Sequence, residues 1–462
     1  MATQYKHVEI PIPHRGMNTD TSVAAIGPSY CASARNVILT EPGHMRTRTG
    51  WRRTVGYANT LTSSTAAGIG VLGATVYSTL NGLTSTMLVH IMDVQSTYGP
   101  EYMGGYGTTI GTPGTVRVSV ISIDSAGTGT RAAGATDVAS SGQIIGNTVR
   151  YNDILYGTSF ASTGTAGTPV MWAGANTTTV TTGGVTINNG AYSGTFSSAP
   201  AASQVGAFLT VTGGATGPGA NYLYRYRITE HTAAATAFTI AEPYGLGEST
   251  TNVPNAVGAT TTINVSPMRS VPTFYPGGPG AIFGVGCVGL FRERLFLGRG
   301  TDLNATSWSG NRFSWSKPGF PQKQTAANYA YLPTNEMIMG MATVPNGLLI
   351  FTNTQTFILT GYDEPSFNLT QLSAEVGCIH SASICYYNNR AIWASEQGVF
   401  TSDGSVPVSL TQPSPGIGIK EDYLNIIAQN SGTRSQADFR TVSATVVGDT
   451  YMLAANISAG IG

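Results

Sequence analysis

The chain has 462 residues and no net charge, and only 10% of its residues are charged, while it carries 58 Gly and 23 Pro. An average globular domain has roughly a quarter charged residues, so this surface is hydroxyl and amide rather than ionic. The balance excludes the globally basic footprint of a nucleic-acid binder, and 41% apolar residues exclude a disordered chain.

Near-zero net charge favours self-association. The charge is uneven, however. Residues 1–60 carry Lys6, Arg15, Arg35, Arg46, Arg48, Arg52 and Arg53 against Glu9, Asp20 and Glu41. The N-terminus (MATQYKHVEIPIPHRG) lacks the continuous apolar core of a secretory signal. Residues 1–62 read as an arm with few regular elements. The cluster Arg46, Arg48, Arg52 and Arg53 has two open readings: a solvated loop with intersubunit ion pairs, or contact with a phosphate backbone or an acidic partner ring.

Strand candidates follow at GIGVLGATVYSTL, TMLVHIMDV and TVRVSVISID, then across IIGNTVRYNDILYGTSFASTGTAGTPVMWAG. Residues 63–180 form the first part of the main body. No charged residue occurs between Asp153 and Arg225. Much of this block is Thr, Ser and Gly, yet it leads into NYLYRYRITEH and TAFTIAEPYG, whose alternation is a strand signal. It predicts an inserted β-sandwich-like domain over 181–267, with a flexible linker as the alternative.

FYPGGPGA (274–281) punctuates the return to the body, which continues over 268–462. FRERLFLG, NRFSWSKPG, NGLLIFTNTQTFILTG and GCIHSASICYYNNRAIWASEQGVFTSDG repeat short apolar runs closed by turn residues. Leu348–Phe351 and Phe357–Leu359 are continuously apolar, as strands covered on both faces are. Inner propeller strands lie between neighbouring blades. The predicted fold is therefore all-β, a β-propeller-like body with an inserted β-sandwich-like domain. KEDYLNIIAQN (420–430) reads as a helix, and Val442–Val447 with Tyr451–Ala455 as a final hairpin. The longest apolar stretch, Ala281–Leu297, is interrupted by Arg292-Glu293-Arg294 and predicts no membrane span.

Several motifs suggest chemistry without its context. Gly284–Gly289 matches GxGxxG, but a dinucleotide site needs a helix after it and Arg294–Leu297 reads as a strand. Gly157-Thr158-Ser159-Phe160-Ala161 resembles a subtilisin-like serine motif, but partner His and Asp motifs are missing and the sequence suits a β-turn. Cys31, Cys287, Cys378 and Cys385 have no metal spacing and suit buried free thiols. The six His are scattered, and acidic residues are too sparse to nominate a glycosidase pair. The pattern calls for no enzyme, no cofactor and no metal. Trp172, Trp308, Trp315 and Trp393 are either core residues or platforms for a sugar. The latter would suit a phage fibre or spike-like β-protein for host-surface glycan binding.

Taken in order, these phrases resemble the tail nozzle proteins of short-tailed phages, also called tail tubular protein B or packaged-DNA stabilisation protein. The resemblance rests on GMNTDTSVA…RNVILTEPGHMRTRTGW, with Asn36, Gly43, Arg46, Arg48 and Gly50, and then on RERLFLG, RFSWSKPG, NGLLIFTNTQTFILTG and 375–404 in a similar order. It covers about 1–60 and 282–410. It implies a structural virion protein, a sixfold ring that lines the DNA exit channel and helps retain and eject the genome. Its partners would be copies of itself, a tail adaptor ring, fibre, spike or needle proteins, and genomic DNA in passage. It would be assembled in the host cytoplasm and reside in the virion.

Overall fold

The structure, a computed structural model, describes Asn18 and residues 37–41, 44–47, 66–78, 85–95, 116–123, 129–131, 143–151, 154–161, 170–172, 180–213, 224–251, 253–264, 269–270, 286–298, 310–413, 418–429, 442–447 and 450–455. The chain is all-β. A hairpin comes first, β1 (Val37–Glu41) with β2 (His44–Thr47). An antiparallel sheet follows, of β3 (Ala66–Ser78), β4 (Ser85–Gln95), β5 (Val116–Ile123) and β6 (Gly129–Arg131). The next sheet begins with β7 (Gln143–Tyr151), β8 (Ile154–Ala161) and β9 (Val170–Trp172).

Before that sheet receives its fourth strand, the chain departs. It forms β10 (Val180–Ile187), β11 (Ser193–Phe196), β12 (Phe208–Gly213), β13 (Arg225–His231), β14 (Ala237–Ile240) and β15 (Ala256–Asn264). These close into a barrel ordered β10-β11-β14-β13-β12-β15. The chain then returns, and β16 (Arg269–Ser270) pairs with β9. The inserted unit is thus a closed barrel rather than the expected two-sheet sandwich. The reason is β15, which pairs along one edge with β10 and along the other with β12. Closure leaves no open strand edge. Its interior is filled by Val185, Ile187, Leu209, Val211, Tyr226, Ile228, Phe238 and Ile240.

Three regular four-stranded meanders follow. The first is β17 (Cys287–Phe291), β18 (Arg294–Gly298), β19 (Arg312–Lys317) and β20 (Phe320–Tyr331). The second is β21 (Gly340–Val344), β22 (Gly347–Phe351), β23 (Thr356–Thr360) and β24 (Asn368–Ser373). The third is β25 (Cys385–Tyr387), β26 (Arg390–Ser395), β27 (Gly398–Ser402) and β28 (Val408–Ser409). Helix α1 (Lys420–Gln429) and the hairpin β29 (Val442–Val447) with β30 (Thr450–Ala455) complete the described chain.

These sheets stack face against face like propeller blades. Strand side chains alternate between faces, and both faces of β22 are covered. Leu348 and Ile350 pack with Phe296, Phe313 and Trp315 of the preceding blade. Leu349 and Phe351 pack with Ala391, Trp393 and Phe400 of the following one. On β18, Phe296 joins the first of these cores, while Leu295 and Leu297 turn the other way onto Ile154 and Tyr156 of β8. The last blade repeats the pattern. Ile392, Ala394 and Val399 meet Tyr423 of α1 and half-buried Tyr451 and Leu453 of β30. Each buried Leu, Ile or Phe contributes roughly 1.5–3 kcal/mol, so a strand used on both faces stabilises two interfaces.

The turns suit their sequences. Asn388 and Asn389 both have positive φ in the two-residue turn between β25 and β26, a conformation asparagine tolerates. Arg292 and Glu293 hold the same conformation between β17 and β18. There the Arg292 guanidinium lies over the rings of Phe291 and Tyr362, and its Nε donates to the Gly361 carbonyl. Among the described residues, no helix is long and apolar enough to cross a membrane.

Candidate functional site

Of the arginine cluster, Arg46 lies in β2, opposite Ile38. Arg48, Arg52 and Arg53 lie outside the described residues. The arm does reach the far end of the chain at one point, where buried Asn18 accepts from the Gly418 amide at 3.4 Å.

The chemistry-like motifs find structural places. The described end of the GxGxxG match runs straight into strand β17, with no helix after it. Gly157–Ala161 lies within β8, a strand rather than the expected turn, because its residues pair with β7 and β9. Trp315 and Trp393 are core residues, and the Trp393 indole donates to the Gly377 carbonyl at 2.9 Å. The side chain of Trp172 and all of Trp308 lie outside the described residues. Cys287, Cys378 and Cys385 are free thiols, the first two buried. Burial pushes the Cys378 thiol up to about 12. His231 is a structural residue. Its Nδ1 accepts from the Gln204 amide at 3.2 Å, and its Nε2 faces the Ala235 carbonyl at 3.1 Å. No group of three or more His, Cys, Asp or Glu able to hold a metal occurs among the described residues.

Charge gathers instead at one end of the blades. The Gly319 amide donates to the Glu293 carbonyl, so the β17–β18 and β19–β20 turns share this end. Glu364, just after β23, takes Arg294 at 3.5 Å, Lys317 at 3.4 Å and the Asn328 amide at 3.0 Å. One blade farther, Arg390 pairs with Asp403 at 3.3 Å, and Asn346 donates to the Asp403 carbonyl. This rim ties adjacent blades through their turns.

The barrel is fastened to that same rim. Gln322 of β20 donates through Nε2 to the Arg225 carbonyl at 2.7 Å and accepts from the Arg225 amide at 2.9 Å. Lys323 pairs with Glu248 at 2.9 Å, both side chains largely buried, and also donates to the Leu246 carbonyl. Phe320 packs against the barrel core, and Phe208 of β12 inserts among Ile154, Tyr156, Val288 and Leu295.

A buried carboxylate lies at this joint. Glu242, just after β14, is 4% exposed. Loss of hydration pushes its carboxyl up from 4.5 to about 7, against the pull of the Arg227 guanidinium. Its Oε2 and the hydroxyl of fully buried Tyr156 make no hydrogen bond among the described residues. Neither residue stood out in sequence. The available signal was a carboxylate two residues after the apolar alternation of TAFTI.

The barrel also carries an open groove of about 540 Å³, along β10, β11, β14 and β13. Thr186, Asn188, Ser193, Thr195, Glu230 and Thr239 line it, over a floor that includes Ile187 and Phe238. The Thr239 hydroxyl donates to Glu230 Oε2 at 3.2 Å. Strand β13 runs from the clamped Arg225 to Glu230 of the groove. At about 3.3 Å per residue, the two are roughly 17 Å apart.

No family model matches the chain, and no curated protein matches it. Among solved structures it is similar to a novel alpha-L-arabinofuranosidase from Clostridium thermocellum, at 9% identity and a TM-score of 0.19, over 66% of this chain and 95% of the other. The expectation of a chain without catalysis is corrected by that finding, since the solved protein is an enzyme. At this TM-score the likeness assigns no activity, substrate or residue role to the present chain.

Proposed function

We propose that the chain is a structural virion protein, a ring-forming tail nozzle or tube component of a short-tailed phage that lines the DNA exit channel and helps retain and eject the genome. One observation carries the reading. The phrases on which the resemblance rests, from FRERLFLG through 375–404, occupy three successive blades packed face against face and tied at one rim. A stiff wall of this kind is what a conduit needs. The low charge suits it as well, since a weakly charged wall neither grips nor strongly repels passing phosphates. The ring's partners are further copies of the chain, an adaptor ring on one side, and fibre, spike or needle proteins on the other.

The test is the mass and symmetry of the purified full-length chain, alone and with tail extracts. A closed ring of about six copies around an axial channel is expected, since head-to-tail interfaces close into rings. A stable trimer, or a monomer that never joins a tail particle, overturns the reading.

A further inference from the structure

The barrel groove has no part in building the blade wall, and its lining differs in kind from the joint. Thr186, Ser193, Thr195 and Thr239 supply hydroxyls, Asn188 an amide, and Glu230 a carboxylate. Among the described residues, no Lys or Arg lines it. Phosphate ligands need cationic or clustered backbone donors, and a lone carboxylate repels them, so nucleic acid fits poorly. A purely apolar ligand would strip water from these polar groups without replacing their hydrogen bonds. What remains is a neutral molecule rich in hydroxyls, each of which both donates and accepts.

The carboxylate is also oriented. Thr239 donates to Glu230 Oε2, which leaves Oε1 directed to other donors. A carboxylate oxygen accepts from a sugar hydroxyl, and the Asn188 amide, two strands away across β11 and β14, serves another part of the ligand. Among the lining residues, His231 keeps its ring occupied with Gln204 and Ala235. The volume of about 540 Å³ lies within the range of small-ligand sites, and the open form admits a chain that enters and leaves. Tyr192, next to Ser193 in the chain, is 54% exposed. Aromatic rings with one polar end suit such partly wet surfaces.

We infer that this groove is a binding site for a neutral oligosaccharide, with Glu230 on β13 and Asn188 beyond β10 engaging hydroxyls of different sugar units. The site differs from the tryptophans that suggested sugar platforms in the sequence, of which Trp315 and Trp393 are buried. It is independent of the ring reading, because a barrel on a monomer or trimer would present the same groove.

The experiment titrates the full-length chain with neutral trisaccharides of gluco, galacto, manno, xylo and arabino configuration, by saturation-transfer NMR and calorimetry. Inorganic phosphate and a short oligothymidylate serve as anionic probes. Saturable binding of at least one trisaccharide is expected, weakened about tenfold by Glu230→Gln through loss of one charged hydrogen bond. Thr195→Trp, at an exposed position, should abolish binding and leave the melting temperature unchanged. Ser193→Trp is a second block should the first variant misfold. The inference is overturned if none of the trisaccharides binds saturably, if both blocking variants bind as well as the parent, or if only the anionic probes compete for the groove.

Discussion

Gln322 holds Arg225 by both of its backbone groups, one carboxamide spanning the amide and the carbonyl of a strand in another unit. The pairing imitates one rung of a β-ladder and docks the barrel at a set angle on its blade. Gln322→Ala removes both hydrogen bonds to the partly buried Arg225 backbone. It should cost about 2–3 kcal/mol, read as a lower denaturant midpoint, with faster amide exchange at Arg225. Gln371→Ala, on the exposed face of β24, should stay within about 0.5 kcal/mol. Equal effects of the two substitutions would remove Gln322 from this role.

Glu242 should make the joint sensitive to pH. Its carboxyl is raised in the folded chain, chiefly by burial, from 4.5 to about 7. A raised folded value means that the protonated form is the one the fold prefers. That stabilisation is complete below about pH 4.5 and is lost as pH rises through 7, on the order of 3 kcal/mol in all. Arg227 opposes the shift, while buried Tyr156 and Tyr226 feel the same carboxylate. Glu242→Gln stays neutral throughout, so it should flatten the fall in stability between pH 5.5 and 8.5. Urea midpoints at the two pH values check this; an unchanged slope in the variant refutes it.

Adjacent residues of β22 should be equally intolerant of truncation. Leu348 and Leu349 face different blades and both are fully buried. Each substitution to Ala should cost about 2–5 kcal/mol, measured by chemical denaturation. A strand with one wet face would show the loss at only one of the two.

The thiols offer a chemical probe of the same packing. Cys287 and Cys378 are fully buried, and burial holds Cys378 near 12. Iodoacetamide reacts with the thiolate, so at pH 8 both should resist alkylation in the native chain and label after unfolding. Mass spectrometry of the labelled peptides reads the result. Fast native labelling of Cys378 would mean that the blades open.

Within the ring proposal, Arg46→Glu combined with Arg48→Glu should impair assembly or genome retention, because it reverses charge in a basic region of a charge-poor chain. Particle yield and DNA content after purification provide the measurement. Full particles at normal yield would detach these arginines from assembly.

Much of the blade body was legible in sequence. NGLLIFTNTQTFILTG writes two strands and their turn, and its unbroken apolar runs already demand cover on both faces. KEDYLNIIAQN and the Val442–Ala455 hairpin were legible for the same reason, since local period and turn residues suffice. The site residues were less so. Gln322, Glu242 and the groove lining acquire meaning only from neighbours 97, 86 or several dozen positions away.

The sequence by itself therefore determined an all-β chain, the turns that separate its strands, and which strands are buried twice. The tertiary structure alone decided that the insertion closes into a barrel, because β10 meets β15 about 70 residues later and no local period encodes that pairing. It alone also decided that the barrel is clamped to the blades through Gln322 and Lys323 and that four of its strands line an open groove. Strand rhythm depends on side-chain alternation within a few residues, whereas closure and docking depend on hydrogen bonds and buried area between segments that meet only once the chain has folded.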